Sequence, residues 1–301
     1  MKAKTIVFML VIVSSFLFSA ESNLTFVVWS DSHFGAYDYS DTTRLDIIEQ
    51  INTLTDVNWP DGLERLPEGS RPAFLMHCGD ITENGTALQW NDPNTAGHRS
   101  YLQTLARLHP AIQSYAALGN HDSRPSENIR GVFSEHYHGT YYSFDCQGIH
   151  LCTLDPYPNM NSAAPSLDSA QLVWLKADLD KLAPGTPVII VMHVRPLCDE
   201  SIDRSSRLDP SSSEALAKIV ADKNILAFFH GHGHSTRVSE WNGIAVVSPA
   251  GFAYWRNGCP NGHPVLGVVQ ISAREFCIYS YDWDARAFKD RPLYRKTRAV
   301  Q

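Results

Sequence analysis

The sequence predicts an α/β fold built from two mixed β-sheets, and three observations support this prediction. Short apolar runs rich in Val, Ile, Phe and Tyr recur along the chain, bounded by Gly, Pro, Asp or Asn as strands usually are. Segments with apolar residues at helical spacing separate many of these runs, which is typical of α/β proteins. The last strand-like runs follow one another with little helix between them, which indicates a second sheet of mixed direction.

The predicted strands are bounded by residues that favour turns. One pair encloses Cys146-Gln147-Gly148, which is typical of a hairpin turn. The sequence contains no internal repeat and no low-complexity tract. In chain order, the predicted strands are Thr25–Ser30, Ala73–Cys78, Ser114–Leu118, Tyr141–Phe144, Ile149–Leu154, Val188–Met192, Ile225–Phe229, Ile244–Val247, Val265–Ile271 and Phe276–Tyr281.

The predicted helices follow from apolar residues that recur at helical spacing. Two of them begin with polar residues suited to a helix N-terminus, and Asp168-Ser169-Ala170-Gln171 has the form of a capping box. We assign the apolar faces to the core. Their positions are Leu45, Ile48, Ile51 and Leu54; Leu102, Leu105 and Leu108; Leu172, Leu175, Leu179 and Leu182; and, behind Ser211-Ser212-Ser213-Glu214, Leu216, Ile219 and Val220.

The composition is that of an ordinary globular protein with an acidic surface. Of the 301 residues, 44% are hydrophobic and 19% are charged, so the chain is long enough to bury a large core. Asp and Glu outnumber Lys and Arg by 32 to 25, for a net charge of −7. Duplex nucleic acid is therefore not an expected partner, because its binding requires a basic surface.

The first twenty residues have the pattern of a secretory signal peptide. Lys2 and Lys4 precede an apolar run from Thr5 to Phe18, and Ser19-Ala20 offers small residues for cleavage. The run is shorter than the roughly 20 residues that span a bilayer, and an uncleaved anchor is the alternative. We predict a signal peptide over 1–20, a single domain over 21–301 with no membrane span in the mature chain, and a secreted or periplasmic location.

The six cysteines allow 15 disulfide patterns, so the sequence does not fix their pairing. Cys78 and Cys152 lie in strand-like runs, where buried thiols are common. Cys198 and Cys259 lie in loop-like sequence, and we favour them as a pair because an exported protein permits disulfides. None of the cysteines has zinc-finger spacing.

Five short blocks carry the chemistry, and nearly all follow a predicted strand. Residues two apart in extended chain point the same way, so Asp31 and His33 face together, as do His232 and His234. Carboxylate, amide and imidazole groups at several strand ends are the ligands that a pair of divalent cations requires. The blocks are Asp31-Ser32-His33, Gly79-Asp80, Gly119-Asn120-His121-Asp122, His193 and Gly231-His232-Gly233-His234.

Such a group suits hydrolysis at phosphorus. Two neighbouring cations bind a bridging hydroxide and phosphoryl oxygens, and they neutralise charge in the transition state. The positive charge that remains after Asp31, Asp80 and a hydroxide are counted favours a phosphate anion over a neutral ester. A small-molecule phosphoester is therefore the expected substrate.

The five blocks resemble the pattern of the calcineurin-like metallophosphoesterase superfamily, D-x-H, G-D, G-N-H-D/E, H and G-H-x-H. They occur in that order across residues 31–234, and the likeness extends to the hairpin region Tyr141–Asp155. The resemblance implies a four-layer α-β-β-α sandwich with a dimetal site at the rim of its strands. It also implies two divalent or mixed-valence ions of the Mn, Fe or Zn class, whose identity the sequence does not select.

The resemblance further implies a role for each site residue. One ion would be held by Asp31, His33, Asp80 and His234, and the other by Asp80, Asn120, His193 and His232, with Asp80 bridging. His121 would be the general acid at the leaving oxygen, and Asp122 would orient it. We assign His230 to a supporting or core role. The histidines that fit no metal spacing receive structural or surface roles: His77, His98, His109, His136, His138, His150 and His263.

The subfamily features favour a phosphodiesterase near the class III cyclic-nucleotide branch. Glu83 occupies the position at which purple acid phosphatases carry a tyrosine, and the Gly-Asp block differs from that of protein Ser/Thr phosphatases. A phosphomonoesterase is the alternative, for which Arg124 or Arg195 would supply extra positive charge. An inactive binding or adhesion protein is less favoured, because no ligand is missing. The sequence does not predict the oligomeric state.

Overall fold

Two β-sheets lie face to face in this protein, and helices cover their outer sides. The computed structural model describes residues 23–34, 41–83, 101–123, 129–158, 164–249 and 265–298. The predicted signal peptide, Arg124 and Cys259 lie outside these residues, so the predictions that concern them are not tested here.

The elements alternate between strand and helix over much of the chain. In chain order they are β1 (Leu24–Trp29), α1 (Asp41–Asn52), a 3-10 helix (Leu54–Asp56), β2 (Phe74–His77), α2 (Tyr101–Leu105), β3 (Gln113–Ala116), α3 (Ile129–Tyr137), β4 (Tyr142–Cys146), β5 (Ile149–Thr153), α4 (Ser169–Leu179), β6 (Pro187–Val191), a second 3-10 helix (Arg204–Ser206), α5 (Pro210–Val220), β7 (Asn224–Phe229), β8 (Arg237–Trp241), β9 (Ile244–Ser248), β10 (Val265–Ile271), β11 (Glu275–Asp282), β12 (Ala287–Phe288) and β13 (Tyr294–Thr297).

Both sheets are mixed, as the sequence predicted. The first has the order β12-β11-β10-β1-β2-β3, with β13 also paired to β11, and the second has the order β4-β5-β6-β7-β9-β8. Strands β1, β2 and β3 are parallel to one another, and so are β5, β6, β7 and β9. The carboxyl ends of each parallel set therefore meet at one edge of its sheet.

Alternate residues of the strands face two different cores. On β1, Phe26 and Val28 face the second sheet, whereas Val27 and Trp29 face α1, α2 and α3. A third core packs α4 and α5 against the outer face of the second sheet, with Leu175 buried there. The layers are thus α-β-β-α, and this confirms the predicted four-layer sandwich. Burial of both faces explains why the central strands read as continuous apolar runs.

The last strands of the chain do not form the second sheet, contrary to the sequence prediction. Strand β10 pairs antiparallel with β1, with Leu24 opposite Ile271, and β11, β12 and β13 extend the first sheet from there. The second sheet consists instead of β4 to β9. Local sequence predicts that a strand forms, but its partner is chosen by contacts with residues distant in the chain.

The predicted capping box at α4 is correct in one half only. Asp168 accepts a hydrogen bond from the Gln171 backbone N–H at 2.8 Å, as a capping residue does. The Gln171 side chain does not return to the cap. Its amide exchanges hydrogen bonds with the backbone of Asp155 at 2.7 and 2.9 Å, which fixes α4 to the loop after β5. At α5 the cap is Asp209, and Pro210 occupies the first turn.

Across the residues that the structure describes, every helix is too short or too polar to cross a bilayer. Among the same residues, Cys78 and Cys152 are buried free thiols, which confirms that part of the cysteine interpretation.

Candidate metal centre

The predicted site residues lie together where the carboxyl ends of both parallel strand sets meet. In each case the strand ends one or a few residues before the polar side chain, so the sheet fixes its position. Asp31 and His33 follow β1; Asp80 follows β2; Asn120, His121 and Asp122 follow β3; His193 follows β6; and His232 and His234 follow β7.

Backbone hydrogen bonds join the loops that carry these residues. The N–H of Asp31 donates to the Gly79 carbonyl at 3.0 Å, and the N–H of His33 donates to the Asp80 carbonyl at 3.1 Å. In the second sheet the N–H of Gly231 donates to the His193 carbonyl at 2.9 Å. The backbone hydrogen bonds of each sheet therefore continue past the strand ends into the loops of the site. They limit how far the ligand side chains can move apart.

Most of the predicted ligands have a left-handed backbone conformation. A non-glycine residue at positive φ is uncommon, and a strained conformation costs roughly 1–3 kcal/mol where the surroundings impose it. Concentration of this strain at one site is typical of functional positions. The φ angles are 57° at Asp31, 41° at His33, 54° at Asp80, 65° at His232 and 45° at His234.

Two glycines permit the close approach of the loops. A Cβ atom on Gly119 would lie 2.2 Å from Oδ1 of Asp80, and one on Gly231 would lie 1.8 Å from Oγ of Ser30 and 2.7 Å from Oδ2 of Asp31. Both contacts are too short for any larger residue. Glycine is therefore required at these positions by the close packing of the site, because neither residue has a positive φ that would itself demand glycine.

A first group of metal-binding atoms comprises side chains of Asp31, His33, Asp80 and His234, which come within 4.8 Å of one another. Nε2 of His234 lies 3.3 Å from Oδ1 of Asp31 and 3.4 Å from Nε2 of His33. Nε2 of His33 lies 3.8 Å from Oδ2 of Asp80. These separations suit donors that surround one cation, and imidazole with carboxylate suits a transition metal.

A second group comprises Asp80, His193 and His232, with the Asn120 amide beside them. Nε2 of His193 lies 3.2 Å from Oδ2 of Asp80 and 3.1 Å from Oδ1 of Asn120. Nδ1 of His232 lies 2.9 Å from the same amide oxygen. His193 donates its Nδ1 proton to the Cys78 carbonyl at 2.9 Å, which leaves Nε2 as the ring nitrogen that faces these oxygens.

The electrostatics of the site favour a cation. Burial lowers the pKa of His193, but the carboxylates of Asp80 and Asp31 and the Cys78 carbonyl together outweigh it and raise that pKa to about 9. Burial raises the pKa of Asp31, but the His234 hydrogen bond and the charge of His193 lower it to about 2. Oδ2 of Asp31 is buried without a hydrogen-bond partner among the described residues. The donor set therefore fits divalent cations, which would satisfy these lone pairs and charges.

Glu83 is a site residue whose role the sequence reasoning missed. Its carboxylate accepts a hydrogen bond from Nδ1 of His33 at 2.8 Å, and its backbone carbonyl accepts one from Nδ1 of His121 at 2.7 Å. The first contact orients His33 so that its Nε2 faces the other donor atoms of the first group, a common arrangement around ligating histidines. The sequence feature that could have identified Glu83 as a site residue is its position three residues after Asp80.

A buried histidine supports the same loops. The N–H of Gly79 donates to Nδ1 of His77 at 3.1 Å, so the His77 proton is on Nε2, which donates to Oγ of Ser32 at 2.8 Å. Ser32 in turn donates to the Ile81 carbonyl at 3.0 Å. Burial lowers the pKa of His77 to about 3 and keeps the ring neutral. His77 thus has the structural role that the sequence indicated.

Asp122 has a different set of contacts from those that we predicted. In the described part of the chain its carboxylate accepts hydrogen bonds from the backbone N–H groups of Ile81, Thr82 and Gly119 at 3.0, 2.8 and 2.9 Å, and none from His121. His121 is oriented by the Glu83 carbonyl instead. Asp122 therefore positions the loops after β2 and β3, and this contact depends on tertiary structure that the motif does not encode.

Two further groups lie beside the predicted ligands. His230 is buried; its Nδ1 donates to the Gly231 carbonyl at 3.0 Å, and its Nε2 has no partner within the described residues. Arg195 is half-buried, and its Nε likewise lacks a hydrogen-bond partner there. Burial and the nearby Arg237 lower the pKa of Arg195.

Comparison with known proteins gives the same picture. The sequence model of the calcineurin-like phosphoesterase family matches residues 24–236, which include every predicted ligand. No curated protein matches the sequence.

Solved structures share the fold at low sequence identity. A dimetal phosphatase from Danio rerio is 15% identical with a TM-score of 0.57, covering 86% of this chain and 96% of its own. GAP50, the anchor in the inner membrane complex of Plasmodium, is 13% identical with a TM-score of 0.58, covering 93% of this chain and 90% of its own. Since the family match spans most of the sequence, this protein belongs to the calcineurin-like phosphoesterase family of metallophosphoesterases, which hydrolyse phosphoesters.

Proposed function

We propose that this protein is an exported phosphodiesterase that works with two divalent cations. The observation that carries the proposal is the position of Asp80, whose carboxylate belongs to both groups of metal-binding atoms. A carboxylate shared by two such groups supports a pair of cations about 3.5–4 Å apart, the separation that two-metal hydrolysis uses.

In this proposal the two cations share Asp80 and otherwise have separate ligands. Asp31, His33, Asp80 and His234 hold one, and Asp80, Asn120, His193 and His232 hold the other. The cations supply Lewis acidity, which makes hydroxide available at neutral pH and neutralises charge on the phosphoryl group. Oxygen and nitrogen donors accept Mn, Fe or Zn, so the supply of metal decides which is bound as much as the geometry of the site does.

His121 acts as the general acid. Its Nδ1 proton is held by the Glu83 carbonyl, so Nε2 is the atom that transfers a proton to the leaving oxygen. Burial lowers the pKa of His121, which makes its imidazolium form a stronger acid than a solvent-exposed histidine. Glu83 thereby supports both metal binding and proton transfer, because its carboxylate orients His33 and its backbone carbonyl orients His121.

Two features of the sequence favour a phosphodiester as the substrate. The Gly-Asn-His-Asp block and the length of the chain are typical of the class III cyclic-nucleotide branch. A phosphomonoesterase is the second candidate, and the unpartnered Nε of Arg195 among the described residues favours it. A monoester dianion gains more from an additional guanidinium than a diester monoanion does.

An inactive binding protein on the same scaffold is the third candidate. The Plasmodium protein of similar fold is described as an anchor, which illustrates such a use of the fold. Against this candidate, the chain retains all seven predicted ligand side chains, Asp31, His33, Asp80, Asn120, His193, His232 and His234. A binding protein has no need to preserve ligands whose backbone conformations are strained.

Comparison of two substrates tests the proposal. We expect a higher kcat/KM for bis-p-nitrophenyl phosphate than for p-nitrophenyl phosphate in protein reconstituted with Mn²⁺ or Zn²⁺. A preference for the monoester would select the second candidate, and Arg195→Ala would then reduce monoester turnover more than diester turnover. Metal-loaded protein without activity on either substrate, or on other phosphoesters, would instead support the third candidate.

Two substitutions distinguish the ligands from their supporting groups. Asp80→Asn should lose both cations and most activity, because it removes the charge that the two donor groups share. Glu83→Gln should keep both sites but lower metal affinity by roughly 10–100-fold, since it removes only the carboxylate behind His33. Metal analysis after dialysis checks both, and normal metal content in Asp80→Asn would contradict the ligand assignment.

Substitution of His121 separates metal binding from proton transfer. His121→Ala should retain the metals and lower kcat by roughly 10²–10⁴-fold, which is the usual contribution of a general acid. A substrate with a more acidic leaving alcohol should lose less, because it needs less protonation. His136→Ala, an exposed histidine on α3, is the matched control. Unchanged kcat in His121→Ala would remove this residue from the mechanism.

Export rests on the pattern of the first twenty residues alone. If the signal peptide is removed after Ala20, N-terminal sequencing of protein recovered from the periplasm or medium should begin at Glu21. A mature protein that still begins at Met1 would support the uncleaved anchor.

A further inference from the structure

A second cluster of metal-binding side chains lies at the other end of the second sheet. Strand β5 carries His150 and Cys152, and α4 carries Asp178 in its last turn. In the register of β5 with β6, His150 pairs with Val188, whereas Thr153 pairs with Val191, the last residue of β6 before the rim. His150 is therefore near the amino end of β5, separated along the strand from the rim that holds the predicted dimetal site.

The three side chains converge because of regular secondary structure. His150 and Cys152 are two residues apart on a strand, so both point to the face that α4 covers. Nε2 of His150 lies 3.0 Å from Oδ2 of Asp178, and Sγ of Cys152 lies 3.9 Å from the same oxygen. The three donor atoms come within 4.8 Å of one another.

The surroundings of His150 resemble those of a zinc-binding histidine. Its Nδ1 faces Oδ1 of Asp145 at 2.8 Å, and Asp145 is the cross-strand neighbour of His150 on β4. A carboxylate behind one ring nitrogen commonly orients a histidine whose other nitrogen binds the metal. His150 is 4% exposed and Cys152 is 0% exposed, while the Asp178 side chain is 15% exposed and gives access from solvent.

From this geometry we propose that His150, Cys152 and Asp178 form a third metal site, for Zn²⁺ or a similar thiophilic ion. Imidazole nitrogen, thiolate sulfur and carboxylate oxygen are each zinc ligands, and a solvent water would complete four-coordination. Binding displaces the Cys152 thiol proton and any proton on Nε2 of His150 to solvent. The ion then ties the β4–β5 hairpin to α4. This assignment changes the structural role that the sequence gave to His150 and the buried-thiol role that it gave to Cys152.

The same contacts also have an interpretation without a metal. In it the two ring nitrogens of His150 contact the carboxylates of Asp145 and Asp178, and the Cys152 thiol donates weakly to Asp178. The two interpretations differ in one measurable respect: only a metal site creates a bond between sulfur and a metal.

Cobalt substitution tests that bond. Chelator-treated full-length protein is titrated with Co²⁺ while the near-ultraviolet charge-transfer band between thiolate sulfur and cobalt is followed. The predicted rim site contains only oxygen and nitrogen donors, so it does not contribute to this band whether or not it binds two cations. We expect the band to saturate at the intensity of one thiolate–cobalt bond per chain, after up to three equivalents of Co²⁺ because the rim also takes up to two, and to be absent in Cys152→Ser.

Control variants make the result specific. Cys146→Ser removes the cysteine at the end of the same hairpin and should keep the band. Asp145→Asn should keep it but weaken cobalt affinity by roughly 10–100-fold, because only the supporting carboxylate is lost. Asp145 is 75% exposed at its side chain, so this variant remains informative if Cys152→Ser fails to fold. A missing band at saturating Co²⁺, or a band that persists in Cys152→Ser, would overturn the proposal.

Discussion

The Asp80 carboxylate is the contact on which the geometry of the rim depends. Its Oδ1 accepts a hydrogen bond from the N–H of His121 at 2.8 Å, while its Oδ2 faces ring nitrogens of His33 and His193. These partners come from both sheets, so one side chain connects the loops after β1, β2, β3 and β6. Burial by itself would disfavour its charge, but the surrounding histidines hold the pKa of Asp80 well below its usual value. The fold therefore holds Asp80 as a carboxylate anion at a position where it can bind cations.

The close packing of the rim strains the backbone of the residues that form it. Several ligand positions have positive φ, and loops from different strands approach so closely that Gly119 and Gly231 cannot carry a side chain. Such strain persists only where the rest of the structure enforces it. Here the enforcing elements are the parallel strands, the Asp122 carboxylate with its backbone donors, and the network from His77 to Ser32. These groups support the site, although none of them belongs to either donor group.

The sequence predicted most strands because they are buried on both faces and therefore strongly apolar. It missed the two-residue strand β12, and it missed β8 and β13, which lie at sheet edges and carry exposed charged residues such as Arg237 and Lys296. It also missed α3, whose sequence contains Gly131 and several aromatic residues with weak helical preference. Packing of Phe133 and Tyr137 into the first core stabilises that helix, and such contacts cannot be recognised from local sequence.

The order of the motifs determined the family and the candidate ligands, because each block follows a strand and parallel strands bring their ends together. Only the tertiary structure decided which atoms face one another. In the tertiary structure Glu83 hydrogen-bonds to both His33 and His121, and Asp122 accepts hydrogen bonds from the backbone of neighbouring loops. Strand β10 pairs with β1. The physical reason is the same in each case. These contacts connect residues distant in the chain, and their geometry depends on how two sheets pack, which no local pattern specifies.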